Sequence, residues 1–166
     1  MSTKIRFTVH AAVIAALYVV FTILANLFGL SSNVIQVRFS EALAILPLFT
    51  PAAIPGLFLG CFLGNILTGC MILDVIFGSL STLIGALGTY YIGKKVSGEG
   101  LRFFLGVLPP IVVNTMVIPE VLIFVYKLEG ALHIITLSVF AGEVISCGVC
   151  GYLLCKVLKK HRKYLF

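Results

Sequence analysis

Long apolar segments, each close to the length of a membrane span, are the feature that most restricts what this chain can fold into. Of its 166 residues, 60% are hydrophobic and only 11% are charged. A soluble domain carries about 25% charged residues, so this chain has too few polar side chains to cover a surface that faces water. A helix needs about 20 residues to cross the hydrocarbon core of a bilayer. The sequence therefore predicts an all-α integral membrane protein.

Glycine, proline and polar residues divide the chain into six predicted spans within one transmembrane domain, residues 1–166. The spans cover about 7–29, 41–50, 53–68, 74–93, 103–127 and 131–158. The first apolar run is longer than that of a signal peptide and no A-x-A cleavage site follows it, so we expect it to be retained. We expect Pro47 to interrupt the second span, and Pro109, Pro110 and Pro119 to break the fifth, because proline removes a helical hydrogen bond.

Small residues recur along the predicted helices. Gly56, Gly60 and Gly64 are spaced by four in the third span, a pattern that lets helix backbones approach closely. Cys147 and Cys150 form a C-x-x-C, which can indicate redox chemistry or metal binding. Because the chain has no second such pair, we interpret these cysteines as small packing residues.

Basic residues are distributed unequally between the two ends of the predicted spans. One side would hold Lys4, Arg6, Lys94, Lys95, Arg102, Lys156, Lys159, Lys160, Arg162 and Lys163. The other side would hold only Arg38 and Lys127. Lys and Arg favour cytoplasmic loops, so the sequence predicts that both termini are cytoplasmic. The net charge of +6 is then explained without a nucleic-acid partner.

Four acidic residues lie within or at the edges of predicted spans, namely Glu41, Asp74, Glu120 and Glu143. Glu41 and Asp74 each begin a helix, where they either cap its positive dipole end or belong to a site. A charge inside a bilayer costs at least about 2.5–3.5 kcal/mol, so Glu120 and Glu143 either line a functional pocket or form a buried structural pair. In the predicted topology these residues, with Asn114, converge on a pocket that opens to the outside.

The chemistry of such a pocket suits a small ligand rich in N–H donors. A carboxylate accepts two parallel N–H bonds, as from the edge of a guanine-like base. Arg38 and Phe39 precede the second span and would join the pocket, and Phe77 follows Asp74 in the fourth. Phe39 and Phe77 either stack on the ligand or face lipid or the core. We predict no cofactor and no metal, since neither G-x-x-x-x-G-K-[ST] nor H-E-x-x-H is present.

Three sequence stretches carry a resemblance to a known family. IQVRFSEALAILPLF and PAAIPGLFLGCFLGN lie within residues 35–65, and LDVIFGSLSTLIGAL is residues 73–87. On these residues the chain resembles the substrate-binding (S) components of energy-coupling factor (ECF) transporters, and among them the QueT family. The fifth and sixth spans match only in general character.

The resemblance implies a bundle of six transmembrane helices of the ECF S-component type, in the cell membrane of a prokaryote. Such a subunit would capture a 7-deazaguanine (preQ0, preQ1, queuine or queuosine) outside, with the loop before the second span as a lid. It would deliver the ligand through a transmembrane coupling protein and two ABC ATPases. The chain itself would then be a transport subunit and not an enzyme.

An A-x-x-x-A motif on the first span docks the family's S components onto the coupling protein. This chain has two such pairs, Ala11 with Ala15 and Ala12 with Ala16. Small residues permit close helix contact in lipid, so the alternative is that these alanines pack within the bundle.

Other functions stay open at this point. Within transport, the alternative is an S component for a different vitamin, such as riboflavin or biotin. A small intramembrane enzyme would need a metal or nucleophile cluster, which the sequence does not reveal. A channel subunit would need continuous polar faces on several spans, whereas the polar residues here gather in the predicted outer half.

Overall fold

The described part of the protein folds into helices. The computed structural model describes residues 2–30, 37–127 and 130–165, with side chains as far as Lys160, and these ranges contain no strand. The elements are α1 (Thr3–Leu27), a 3-10 helix (Phe39–Leu48), α2 (Ala53–Leu67), α3 (Ile72–Lys95), α4 (Glu99–Phe124), α5 (Leu132–Glu143), a π-helical segment (Val144–Cys150) and α6 (Gly151–Leu165). Most of the loop predicted as a lid, residues 31–36, lies outside the described residues.

Four helices among the described residues are long and apolar enough to cross a membrane. They are α1, α3, α4 and the continuous helix Leu132–Lys160, which contains α5, the π-helical segment and most of α6. Large apolar side chains on them, such as Phe104 and Leu137, are exposed, as expected where the surrounding solvent is lipid. The prediction of an all-α membrane protein is therefore confirmed. At the second and third predicted spans the helices are shorter, with 10 and 15 residues.

Helix α4 continues through all of its prolines, so the prediction that they break it is wrong. Pro110 has no N–H to donate to the carbonyl of Gly106, four residues earlier. The hydroxyl of Thr89 on α3 donates to that carbonyl instead, at 2.7 Å. Pro110 also lies against Gly85, where an added Cβ would be 2.8 Å from its Cα. The neighbouring helix thus supplies the hydrogen bond that the proline removes.

The glycine stripe of α2 packs directly against α1. A Cβ added at Gly56 would lie 2.8 Å from the carbonyl oxygen of Ala11, and one added at Gly60 would lie 2.6 Å from the Cβ of Tyr18. Separations this short exclude a larger residue, so the two helices are in close contact. This contact turns Tyr18 into the bundle, where only 1% of its surface is exposed.

The 3-10 helix occupies the centre of the described bundle. Its residues from Ser40 onward are buried, and Pro47 lies just before its last residue. It contacts α1, α2, α3, α4, α6 and the π-helical segment, and its apolar side chains fill the core between them. Glu41 lies in its first turn, so this helix carries a carboxylate into the protein interior.

Candidate functional site

Buried polar side chains are concentrated around the start of the 3-10 helix. They include Glu41, Asn65, Asp74, Ser81, Thr82, Asn114, Glu143 and Ser146, each with 7% or less of its surface exposed. A buried polar group costs free energy unless it is paired, and ionisable side chains at membrane depth are usually functional. The contacts of these residues therefore define the candidate site. We call Glu41, Asn114, Glu143 and Cys147 the carboxylate cluster.

Within the carboxylate cluster, Glu143 accepts hydrogen bonds from two neutral donors. The amide Nδ2 of Asn114 donates to Oε1 of Glu143 at 3.0 Å. The thiol of Cys147, four residues later in the chain, donates to Oε2 at 3.3 Å. Ser81 of α3 in turn donates to Oδ1 of Asn114 at 2.5 Å. The hydroxyl of Ser81 therefore orients the amide so that its N–H group faces the carboxylate.

Glu41 lies close to Glu143 and has one unpaired oxygen. The hydroxyl of Tyr18 donates a hydrogen bond to Oε1 of Glu41, and the Cys147 thiol lies 3.4 Å from the Glu41 backbone carbonyl oxygen. Oε2 of Glu41 is buried and has no hydrogen-bond partner among the described residues. An unpaired buried acceptor costs about 1–3 kcal/mol, so this oxygen is available to a donor from a ligand.

The π-helical segment of the last helix contributes side chains to the cluster and a hydrogen bond beside it. It begins directly after Glu143 and contains Cys147. The hydroxyl of Ser146, in the same segment, accepts a hydrogen bond from the backbone N–H of Arg38 at 3.1 Å. This bond ties the start of the 3-10 helix to the last helix. π-Helical turns are rare and occur frequently at functional sites.

Asp74 marks a second part of the polar region, at the start of α3. The hydroxyl of Tyr126 donates to Oδ2 of Asp74 at 2.9 Å and accepts from the backbone N–H of Met71 at 3.1 Å. Burial and the hydrogen bond to Asp74 raise the pKa of Tyr126, so the hydroxyl stays protonated at neutral pH. Tyr126 thereby joins the end of α4 to the start of α3.

Arg38 contributes a positive charge between these two parts. Although burial opposes its charge, the nearby acidic side chains of Asp74 and Glu41 raise the pKa of Arg38. It also borders a cavity of about 50 Å³, lined by Thr22, Ala25, Asn26, Arg38, Asn65, Thr68 and Cys70. A cavity of this size holds about one or two water molecules, so a ligand as large as a base requires the surrounding side chains to move.

The predicted binding residues fall into two groups. Arg38, Glu41, Asp74, Asn114 and Glu143 lie in the polar region described above. The other three lie elsewhere on the described surface.

Glu120 and Phe77 are exposed, and Phe39 is partly buried. Phe39 lines an apolar surface groove with Phe21 and Ala42 instead of the carboxylate cluster. Glu120 lies outside the polar region because of helical geometry. It follows Asn114 by six residues, which at about 100° per residue places it on a different face of α4.

Sequence reasoning missed Tyr18, Ser81 and Cys147. Glu143 and Cys147 are four residues apart, a spacing that puts both on one helical face, so this pair carried a signal. Tyr18 carried none, because a lone tyrosine in an apolar span is equally typical of the membrane interface. Ser81 was noted only as a small residue, although its hydroxyl orients Asn114.

The four alanines of α1 face in two directions. Ala11 is buried and Ala15 is partly buried, both beside the glycine stripe of α2. Ala12 and Ala16 are exposed. Only the second pair is therefore available for contact with another protein.

Glu41, Glu143 and Cys147 bring three potential cation ligands together. One ligand atom from each lies within 4.8 Å of the others, and all three residues are buried. No motif indicated this group, because Glu41 is 106 residues from Cys147 in the chain. The arrangement can bind a positively charged group, either a metal ion or an organic cation.

Comparisons with known proteins identify the family of the chain. The sequence model of a family described as QueT transporter matches residues 8–160. The chain is 40% identical over 76 residues to the queuosine precursor transporter QueT of Lactococcus lactis subsp. cremoris (strain MG1363), a match that covers 46% of this chain and 44% of that protein. No solved structure matches the chain. Because the family match extends over most of its length, this chain belongs to the QueT transporter family.

Proposed function

We propose that this protein is the substrate-capturing subunit (S component) of an ECF-type ABC importer, and that it binds a queuosine precursor or related 7-deazaguanine (preQ0, preQ1, queuine or queuosine). Membership of the QueT transporter family and the name of the Lactococcus relative support this proposal. The observation that carries it is the unpaired acceptor Oε2 of Glu41, buried beside Glu143.

The carboxylate cluster suits the edge of a guanine-like base. The N1–H and 2-amino groups of such a base point in parallel and match the oxygens of one carboxylate. In this proposal Glu41 accepts from that edge, while Asn114 and Glu143 contact other polar groups of the ligand. A ligand with few N–H donors would leave buried oxygens unpaired, and sites of this kind reject such ligands strongly.

The proposed topology has six spans in one transmembrane domain of a prokaryotic cell membrane. The 3-10 helix and α2 would form the short second and third spans. The unequal distribution of Lys and Arg supports a cytoplasmic position for both termini. Asp74 and Tyr126 then lie at the outer end of the bundle, on the side from which the ligand would enter.

The proposed partners are a transmembrane coupling protein and two ABC ATPases. The exposed pair Ala12 and Ala16 would form the docking face, since methyl groups permit close contact between helices in lipid. The partner ATPases would supply the energy, because this chain has no P-loop motif.

Ligand binding to the purified protein tests the proposed substrate class. We expect at least one 7-deazaguanine to bind more tightly than riboflavin and biotin in isothermal titration calorimetry. Glu143→Gln should weaken that binding, while Glu99→Gln, at an exposed salt bridge with Lys159, should leave it unchanged. Equal affinity for all of these ligands would contradict the proposed substrate class.

Co-purification tests the proposed partners. The wild-type chain should recover a coupling protein and ATPases from membranes of the source cell. Ala12→Leu combined with Ala16→Leu should abolish recovery and spare ligand binding, whereas Leu17→Ile, at an exposed position on a different face of α1, should do neither. Full recovery with the double variant would exclude this face as the docking site.

A further inference from the structure

A small cavity with basic side chains in its wall lies at the other end of the 3-10 helix from the carboxylate cluster. The cavity has a volume of about 40 Å³, and its lining includes Leu48, Arg102, Phe103 and Lys159. Leu48 is the last residue of the 3-10 helix, about 14 Å along its axis from Glu41 at a rise of about 2.0 Å per residue. A water-sized sphere occupies about 10–15 Å³, so the cavity has room for about three oxygen-sized atoms.

Arg102, in the wall of this cavity, has a donor without an acceptor. Its Nη2 donates to the backbone carbonyl of Leu48, and a Cβ added at Gly93 of α3 would lie 3.4 Å from the same nitrogen. The guanidinium is thereby held between α3 and the 3-10 helix. Its Nε is buried and has no hydrogen-bond partner among the described residues. A buried donor without an acceptor is costly, so an anion that accepts from Nε would be stabilised there.

Positive charge exceeds negative charge around the cavity. The amine of Lys159 lies 3.0 Å from Oε2 of Glu99, and 37% and 80% of the two side chains are exposed. Ion pairs as exposed as this one contribute little, so the amine can also bind another anion. Glu99 is the only carboxylate that the described helices place at this end of the bundle, which also carries Lys94, Lys95, Lys156 and Lys160.

An apolar surface begins directly beside the cavity. The ring of Phe103 lies edge to face against that of Tyr152, with 5.4 Å between their centroids. Tyr152 lies about two turns before Lys159 in the last helix, toward the middle of the bundle. Tyr152 and Phe104 are both more than half exposed. The basic cavity is therefore continuous with a surface that suits the acyl chains of a lipid, which a free phosphate ion would leave unused.

We propose that this cavity binds the phosphate of an anionic phospholipid. Nε of Arg102 and Nζ of Lys159 donate to the phosphate oxygens, and the acyl chains lie against Phe103 and Tyr152. Basic pockets between transmembrane helices are suited to anionic headgroups on the cytoplasmic side, the side proposed for this end of the bundle. The proposal does not depend on which ligand the carboxylate cluster binds.

Two phospholipids with the same acyl chains test the proposal. Phosphatidylglycerol has a net negative charge, whereas the choline of phosphatidylcholine would place a positive charge beside Arg102 and Lys159. We expect phosphatidylglycerol to bind about 10-fold more tightly. Native mass spectrometry of the detergent-purified protein, titrated with each lipid, gives both dissociation constants.

Substitutions of the exposed ion pair should change the affinity in opposite directions. Lys159→Gln removes a phosphate donor and should weaken phosphatidylglycerol binding up to about 5-fold. Glu99→Gln removes the carboxylate that competes for Lys159 and should strengthen binding about 2- to 5-fold. Lys95→Gln and Glu120→Gln make the same charge changes at exposed positions outside the cavity lining, so each should change the affinity less than about 2-fold.

Arg102→Lys tests the buried donor. Lysine keeps the positive charge and can donate to the carbonyl of Leu48, but it lacks the second donor that Nε provides. We expect about 10-fold weaker binding of phosphatidylglycerol. Melting temperatures in detergent show whether this variant is folded, and the exposed ion pair tests the site independently if it is not.

Three results would overturn the lipid site. Equal affinity for the two phospholipids would exclude a preference for an anionic headgroup. An effect of Lys95→Gln as large as that of Lys159→Gln would mean that the lipid binds the basic surface in general and not this cavity. Displacement of phosphatidylglycerol by inorganic phosphate at an equal concentration would make the free ion the ligand.

Discussion

The α1–α2 interface and the carboxylate cluster are both buried, but they are built in opposite ways. At the interface, Gly56 and Gly60 bring two backbones so close that an added Cβ would clash. In the cluster, polar side chains are paired with one another, and one carboxylate oxygen is left without a donor. The interface therefore stabilises the free protein. The cluster retains the free-energy cost of one unpaired oxygen, which a ligand that donates a hydrogen bond would remove. Tyr18 belongs to both regions, through its Cβ and its hydroxyl.

A clash at the interface should have the largest effect. Gly60→Leu would place a side chain where even a Cβ is 2.6 Å from the Cβ of Tyr18, and overpacking of this kind costs about 1–3 kcal/mol or more. We expect little monodisperse protein in size-exclusion chromatography. Gly100→Leu, where an added Cβ meets nothing within 4 Å, is the matched control. A normal elution profile for Gly60→Leu would mean that the two helices are not in direct contact.

Replacing the carboxyl group of Glu41 should affect binding far more than folding. Glu41→Gln replaces a buried carboxylate with a neutral amide of the same shape, so we expect affinity for the 7-deazaguanine ligand to fall about 10- to 100-fold. The melting temperature should change little, because the amide keeps the shape of the carboxyl group and the Tyr18 hydroxyl can still donate to its oxygen. A large drop in melting temperature with unchanged affinity would assign Glu41 a structural role.

Substitution of Tyr18, which belongs to both regions, should have an effect of intermediate size. Tyr18→Phe keeps the ring packed against Gly60 but removes the hydroxyl that donates to Glu41. We expect the loss of this bond to cost about 1–2 kcal/mol of stability, measured by thermal unfolding, together with weaker ligand binding. Tyr91→Phe, the same change at an exposed position of α3, is the control. An unchanged dissociation constant for Tyr18→Phe would show that the Tyr18 hydroxyl does not contribute to ligand binding by the carboxylate cluster.

The smallest effect is expected at the α3–α4 contact. Thr89→Val removes the hydroxyl that bonds the carbonyl of Gly106 but keeps the shape, so we expect a loss of about 1 kcal/mol in unfolding free energy and no change in binding. Thr8→Val, at an exposed position of α1, should change neither quantity. A loss of ligand affinity in Thr89→Val would show that this contact also influences the cluster, to which α4 contributes Asn114.

The helical class and the buried acidic residues could be predicted from sequence because both depend on composition. Apolar runs indicate spanning helices, and an acidic side chain in such a run is costly against lipid, an argument that holds for the buried Glu143 but not for the exposed Glu120. Continuity of α4 through Pro110 could not be predicted, because the compensating hydroxyl of Thr89 belongs to another helix. The close approach of Glu41 to Cys147 depends on tertiary packing across 106 residues, which no local pattern contains.

Glu120 shows the limit of arguments from depth alone. Its position along α4 places it near the level of the other acidic residues, but its direction around the helix leaves it exposed. The same distinction divides the alanines of α1, where Ala11 is buried and Ala12, the next residue, is exposed. Depth follows from residue number, whereas the buried face depends on which neighbours pack there.

The π-helical segment Val144–Cys150 changes the direction in which the following side chains of the last helix point. A π-turn contains more residues than an α-turn, and one residue of an α-helix corresponds to a rotation of about 100°. Glu143 before the segment and Cys155 after it are both buried, so the segment sets the rotational register that lets both halves face inward. Deleting one residue there would turn one half away from the bundle. The length of this segment is therefore a constraint on insertions and deletions that is separate from the identity of its side chains.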